Sequence, residues 1–148
     1  MRAIIIGGGI AGPVTALALR RAGIDAVVYE AHDGPAPSLG LFLGLGVNGL
    51  RVLEDLDLLE PLLRAASVPT PSIAFSSGTG KRIGVVSNGR LPSGVPSLTI
   101  MRGELQRVLA DAARDRGVEL RYGKRFVEYV ETDAGVVAHF ADGSTAEG

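Results

Sequence analysis

The chain of 148 residues contains no cysteine. Disulfides, thiolate metal sites and cysteine nucleophiles are therefore excluded. An excess of charge is lacking as well: 15 Lys and Arg stand against 16 Asp and Glu, a formal net charge of −1. The basic residues are scattered, some in pairs such as Arg20-Arg21 and Lys81-Arg82. That balance gives no electrostatic case for nucleic acid or an anionic membrane surface. No apolar run approaches the roughly 20 residues of a membrane-spanning helix. The first apolar segment starts at residue 3, too early to follow a signal peptide. The expectation is a cytoplasmic protein without nucleic-acid or membrane partners. What is present is 46% hydrophobic and 21% charged residues, the profile of one globular domain with a real core. Glycine is abundant, 21 residues, without a collagen-like period.

The most informative glycines stand near the start. An apolar run, residues 3–6, leads into Gly7, Gly9 and Gly12, and a helical pattern over residues 10–22 follows. A second apolar run, residues 26–29, ends at Glu30. Strand, G-x-G-x-x-G turn, helix, strand and an acid about 20 residues on make the dinucleotide-binding fingerprint in its required context. Each part has a physical reason. Gly7 permits the tight turn, Gly9 lets the backbone approach a pyrophosphate, and Gly12 lets the helix pack close to the strand. The helix start presents N–H groups and the positive end of its dipole to phosphate. Glu30 can accept hydrogen bonds from ribose hydroxyls. In the helix, Ile10, Val14, Leu17 and Ala18 form the expected apolar face. Arg20 and Arg21 fall in the last turn, with Gly23 just beyond. Pro13 is tolerated because a first-turn N–H has no helical partner.

Residues 31–101 do not repeat this plan. They predict a loop over 33–40, a short strand over 41–45 and a helix capped by Asn48 with Leu50, Leu53 and Leu56 inward. A second short helix with Pro61 in its first turn follows, then a hairpin of residues 69–76 and 82–86. Past a strand at 98–101, Arg102 precedes a helix over 103–116 with Leu105, Val108, Leu109 and Ala112 on one face. Strands at 118–122, 125–131 and 136–140 complete the pattern. The fold class is thus α/β: a Rossmann-type parallel sheet beside an antiparallel β-meander, with the start of a further layer.

Other constellations fail on inspection. Thr79-Gly80-Lys81-Arg82 looks like the tail of a P-loop, but Phe75 stands where its first glycine belongs and Arg82 where Ser or Thr belongs. His32 and His139 are the only histidines, and neither sits in a Ser-His-Asp pattern. Asp55, Asp57 and Glu60 read as helix-surface acids. No metal ligand and no catalytic acid, base or nucleophile is nominated.

The order of these features resembles the amino-terminal part of FAD-dependent group A flavoprotein monooxygenases, the para-hydroxybenzoate hydroxylase-like family. The stretches that carry the likeness are Ile4-Ile5-Ile6-Gly7-Gly8-Gly9-Ile10-Ala11-Gly12, Tyr29-Glu30, Leu43-Gly44-Leu45-Gly46-Val47-Asn48-Gly49-Leu50, and Met101-Arg102-Gly103-Glu104-Leu105. The resemblance covers essentially the whole chain. It implies that Gly7, Gly9, Ile10, Ala11 and Gly12 line the FAD pyrophosphate and that Glu30 holds the adenosine ribose. Arg102 would reach the cofactor's phosphate side, and the Gly44-Leu45-Gly46 turn would pass near the flavin. Read from the residues alone, Arg102 at a strand end beside a helix start suits an anionic ligand, with a surface cation as the alternative, and Gly44 is equally a glycine needed for positive φ. Residues 1–148 would form the amino-terminal part of an FAD-binding domain, with 31–101 contributing to the substrate side.

In such enzymes NAD(P)H is the transient electron donor, and one oxygen of O₂ goes to a small organic substrate. Family members are more than twice as long and carry later Asp-Gly and Gly-Asp motifs that are absent here, so the chain reads as incomplete relative to the family. Two rivals remain open at this point: the NAD-binding module of a dehydrogenase, and an inactive nucleotide-binding remnant. Right-handed crossover places the strand after the second long helix outside strand two. Strand one would then be an apolar open edge, a surface suited to self-association.

Overall fold

The computed structural model describes residues 2–35 and 40–148. Part of the expected loop at 33–40 therefore lies outside the described residues. In chain order the elements are β1 (Arg2–Ile6), α1 (Ala11–Arg21), β2 (Asp25–Tyr29), β3 (Phe42–Leu45), α2 (Val47–Asp55), α3 (Leu59–Arg64), β4 (Ser67–Pro69), β5 (Ser72–Ser76) and β6 (Arg82–Ser87). There follow β7 (Leu98–Met101), α4 (Arg102–Asp115), β8 (Glu119–Arg121), β9 (Phe126–Thr132), β10 (Gly135–Phe140) and β11 (Thr145–Glu147). The chain forms two compact units, Met1–Pro37 with Gln106–Gly148, and Ser38–Leu105.

In the first unit β1, β2 and β8 form a parallel sheet in that order, with Ile4 opposite Val27 and Val28 opposite Leu120. The third strand indeed lies outside the second. β2 is apolar without alternation because both its faces are covered. Val27 and Tyr29 point to one side, where they join Ala138, Phe140 and Ala146 of the meander, with Ile4 and Phe126 against them. Tyr29 and Phe140 stack with ring centroids 4.7 Å apart. Val28, one residue out of phase, is buried on the other side, where its Cγ1 approaches Gly12 of α1. The meander itself runs β11-β10-β9, antiparallel throughout.

The buried stripe of α1 is Gly12, Pro13, Ala16 and Leu17, so the inward face is rotated from the expected one and Ala18 is exposed. Gly12 draws the helix close on that side, and the stripe follows it. The helix stops as expected: Gly23 has φ +77, its N–H donates to the Arg20 carbonyl, and Ile24 N–H donates to the Leu19 carbonyl. This paired arrangement satisfies carbonyls that the helix end would otherwise orphan. Among the described residues, β1 pairs only with β2. Its Ile4 is half-buried, and the Gly148 backbone comes up against Arg2 and Ile4 on that strand.

The second unit holds an antiparallel sheet ordered β3-β7-β4 and a separate hairpin, β5–β6. Leu50, Leu53, Leu56, Leu58 and Leu62 from the helical stretch are buried, as are Leu98 and Ile100 of β7. Asn48 does not cap α2. The cap position is Gly46, and no side chain bonds the helix N-terminus. At the other end Asp57 adopts φ 56, the left-handed conformation usually given to glycine. Ser97, fully buried, donates its hydroxyl to the Asn88 carbonyl, while the Asn88 amide donates to the Thr70 carbonyl. This small polar network ties the base of the hairpin to β7. Of the rejected P-loop match, Thr79, Gly80 and Lys81 lie in the hairpin turn, closed by Ser77 N–H donating to the Lys81 carbonyl, and Arg82 begins β6.

Candidate dinucleotide-binding site

The glycine loop between β1 and α1 is dictated by close contact rather than by flexibility. Gly7 has φ +106 and donates its N–H to the Tyr29 carbonyl at 2.8 Å, which ties the turn to the end of β2. At Gly12, a Cβ would lie 1.9 Å from the Gly7 carbonyl oxygen. No side chain fits there, so the helix packs against the strand end only with glycine at this position. Gly9 is the opposite case. Its φ is ordinary and a Cβ would meet nothing within 4 Å, so the protein leaves space for something else to approach the backbone. Pro13 has no N–H, and Gly9, Ile10, Ala11 and Gly12 remain as the backbone donors at the helix start. No side chain caps this end of α1, and no acidic residue lies in its first turn. An anion is the natural cap for such a terminus.

Glu30 follows β2 directly, and its side chain turns back toward the loop. Oε2 accepts from the Gly8 N–H at 2.6 Å, and Oε1 accepts from the His32 N–H at 2.9 Å. His32 Nδ1 lies 2.6 Å from the same Oε1. The Glu30 side chain is only 13% exposed, whereas that of His32 is 72% exposed. Burial works to raise the Glu30 carboxyl. The hydrogen bonds from His32 N–H, Gly8 N–H and the His32 ring, with the ring's charge, outweigh it and leave Glu30 below the usual carboxylate range. The group is therefore a held, ionised acceptor, which is what ribose hydroxyls require. A carboxylate has about four lone-pair sites, so capacity remains for such a ligand.

Gly7, Gly9, Ile10, Ala11, Gly12 and Glu30 thus converge within the first unit. Gly44 and Arg102 belong to the second. Arg102 begins α4 at the end of β7, is exposed, and donates its backbone N–H to the Leu41 carbonyl at 3.1 Å. Its side-chain carbons run along Gly40 (φ +107), where a Cβ would come within 3.3 Å of the Arg102 Cβ. Gly44 is not in a turn. It lies within β3 opposite Thr99, exposed, with open space where a Cβ would be. Neither Gly44 nor Gly46 has positive φ, so backbone strain does not explain either glycine. Sequence reasoning passed over Gly8, whose burial and contact with Glu30 depend on tertiary structure: a Cβ there would lie 2.9 Å from the Glu30 Cβ. It also passed over Gln106, whose Nε2 donates to the Gly8 carbonyl at 3.2 Å.

A cradle of this kind fits an adenosine diphosphate group, and the comparisons with known proteins name the dinucleotide. The family described as FAD binding domain matches residues 1–148. The chain belongs to the FAD-binding domain family. It is 32% identical to the FAD-dependent urate hydroxylase of Klebsiella pneumoniae, over 100% of this chain and 38% of that protein. It is likewise 32% identical to the FAD-dependent monooxygenase janM of Penicillium janthinellum, over 98% of this chain and 30% of that protein. The crystal structure of Klebsiella pneumoniae HpxO complexed with FAD and uric acid matches with a TM-score of 0.82 and 29% identity, covering 100% of this chain and 37% of that one. A 2-methyl-3-hydroxypyridine-5-carboxylic acid oxygenase matches with a TM-score of 0.77 and 29% identity. This FAD-binding domain thus spans between three and four tenths of the length of these relatives. The family assignment favours FAD over the dehydrogenase reading.

Proposed function

We propose that this chain is the FAD-holding, amino-terminal part of a flavoprotein monooxygenase that oxygenates a small organic molecule at the expense of NAD(P)H and O₂. The single observation that carries the binding half of this reading is the contrast between Gly12 and Gly9. A Cβ on Gly12 would lie 1.9 Å from the Gly7 carbonyl oxygen, whereas a Cβ on Gly9 would meet none of the described residues within 4 Å, beside a carboxylate held for ribose. Gly9, Ile10, Ala11 and Gly12 would donate to the pyrophosphate and Glu30 would accept from the adenosine ribose. Arg102 and Gly44 are assigned to the phosphate side and the flavin surroundings on the family resemblance. The monooxygenase half rests on the named relatives, which include a urate hydroxylase.

When bound, the flavin supplies the redox and oxygen chemistry; the residues of this chain bind and orient it. The visible spectrum of the purified chain, before and after addition of FAD, tests the reading. Oxidised flavin bands retained through gel filtration are expected. A colourless protein that binds NAD instead would move the chain to the dehydrogenases, and one that binds neither would mark it as a remnant. The self-association expected at β1 is part of the same proposal, since β1 has one unpaired edge in its sheet and Ile6 is 46% exposed. Sedimentation showing only monomer at micromolar concentration would overturn it.

A further inference from the structure

Gly8 is buried, and both of its backbone polar groups are taken by side chains. Its N–H goes to Glu30 Oε2 at 2.6 Å, from the end of β2, and its C=O goes to Gln106 Nε2 at 3.2 Å, from α4. Only the amide nitrogen of a glutamine can donate to a carbonyl, which fixes the orientation of that side chain. Gln106 is itself half-buried, between Leu105 and Val108, which anchor the helix in the core. The two bonds grip one residue from opposite ends. They set the rotation of the two peptide planes that flank Gly8, and hence the direction in which the next N–H groups, from Gly9 onward, are presented.

We propose that Gln106 is a positioning residue for the pyrophosphate-binding loop, acting through the Gly8 carbonyl while Glu30 acts through the Gly8 N–H. This deepens the FAD reading and rests on it. Glu30 then has two duties, ribose acceptor and loop anchor. Gln106 touches no cofactor atom and serves only to hold the loop at the angle the phosphates need. A glycine run without such a grip would sample many conformations, and ordering it would cost binding free energy. The clamp removes that cost beforehand.

Two measurements on the full chain test the proposal. First, without any ligand, amide exchange is read at Gly8 and Gly9. The Gly8 amide is expected to be protected in the unsubstituted chain, and Gln106→Met, which keeps length but removes the donor, is expected to lower that protection severalfold. A Gly8 amide that exchanges freely in the unsubstituted chain would overturn the clamp without recourse to any variant. Second, ADP and adenosine affinities are compared. Gln106→Met should weaken ADP by about fivefold to tenfold, the effect of losing one hydrogen bond to a buried carbonyl, and adenosine by less than twofold. Gln106→Glu, which sets a carboxylate against that carbonyl, should weaken ADP further.

Equal loss for ADP and adenosine, or a drop in unfolding midpoint with no change in ADP affinity, would make Gln106 a structural residue and defeat the proposal. Failure of the unsubstituted chain to bind ADP while Gly8 remains protected would instead overturn the nucleotide reading and leave the clamp as a fold device without a ligand.

Discussion

The loop between β1 and α1 and the hairpin β5–β6 are both turns between regular elements, yet they obey opposite rules. In the loop nearly every position is dictated by an atom close by: Gly7 by its φ, Gly8 by Glu30, Gly12 by the Gly7 carbonyl. In the hairpin, Ile73, Phe75, Ile83, Val85 and Val86 are all between 42% and 72% exposed, and a Cβ at Gly78, Gly80 or Gly84 would meet nothing within 4 Å. The loop is specified by contact, the hairpin by strand pairing and by its own turn, where Gly80 has φ +83 and Ser77 Oγ accepts from the Lys81 N–H at 3.1 Å. Substitution should therefore be punished in the first and, outside Gly80, tolerated in the second, and Gly9, where the loop is open without a positive φ, should be open for a ligand.

The harshest break in that comparison is Gly12→Ala. A methyl group cannot coexist with a backbone oxygen at 1.9 Å, so helix and strand must separate. A loss of about 3 kcal/mol or more is expected in denaturant unfolding, together with nucleotide binding. A variant within 1 kcal/mol of the parent would show that the loop yields easily.

Next comes Glu30→Gln, which keeps shape and removes the charge. Charge-assisted hydrogen bonds contribute about 1.5–3 kcal/mol each, so ADP and FAD affinity should fall about tenfold or more. The pH dependence has a definite sign. Because the folded-state carboxyl lies below its ordinary value of 4.5, its contribution is fully present above that value and is lost as pH falls through the lower folded value. The gap between parent and variant should stay constant from neutral pH to about pH 5 and close only at stronger acidity. A gap that closes near neutrality would show that the Glu30 charge is not the group that matters.

Arg102→Ala is expected to have a smaller effect: FAD affinity reduced severalfold with the far-UV circular dichroism unchanged. The side chain is exposed, while Leu105, Val108 and Leu109 hold the helix behind it. If the fold loosens and FAD affinity holds, Arg102 is structural. Smallest of all should be Ile83→Thr in the hairpin. The residue is 72% exposed and threonine keeps the β-branch, so stability should move by no more than about 0.5 kcal/mol.

What was legible in the sequence follows the same division. The βαβ unit was readable because its apolar runs and glycines obey short-range rules, and β7 was found at its observed bounds from Leu98, Ile100 and Met101 around Thr99, between polar flanks. Two strands of the meander, β9 and β10, were readable from the alternation over residues 125–131 and 136–140, whereas β11 was not among the expected strands. Missed features depend on atoms distant in sequence. The buried face of α1 turned toward Ala16 rather than Ala18 because Gly12 sets the approach of the helix. Asn48 carries a capping residue type, but the chain enters α2 through an extended Gly46. β4 pairs with β7 across the whole hairpin, a partner no local pattern names. Gln106 looks like any half-exposed helical glutamine until α4 is seen to bring it to Gly8.

The central claim is that the space at Gly9 belongs to a pyrophosphate. Calorimetric titration of FAD and ADP into the parent chain and into Gly9→Ala, at equal unfolding midpoints, tests it directly. Because none of the described residues meets the added methyl, stability should not fall, while affinity for both ligands should drop about tenfold or more as the methyl takes the place of phosphate. Unchanged affinity in a variant of unchanged stability would contradict the account, because the cofactor would then bind elsewhere than at this loop.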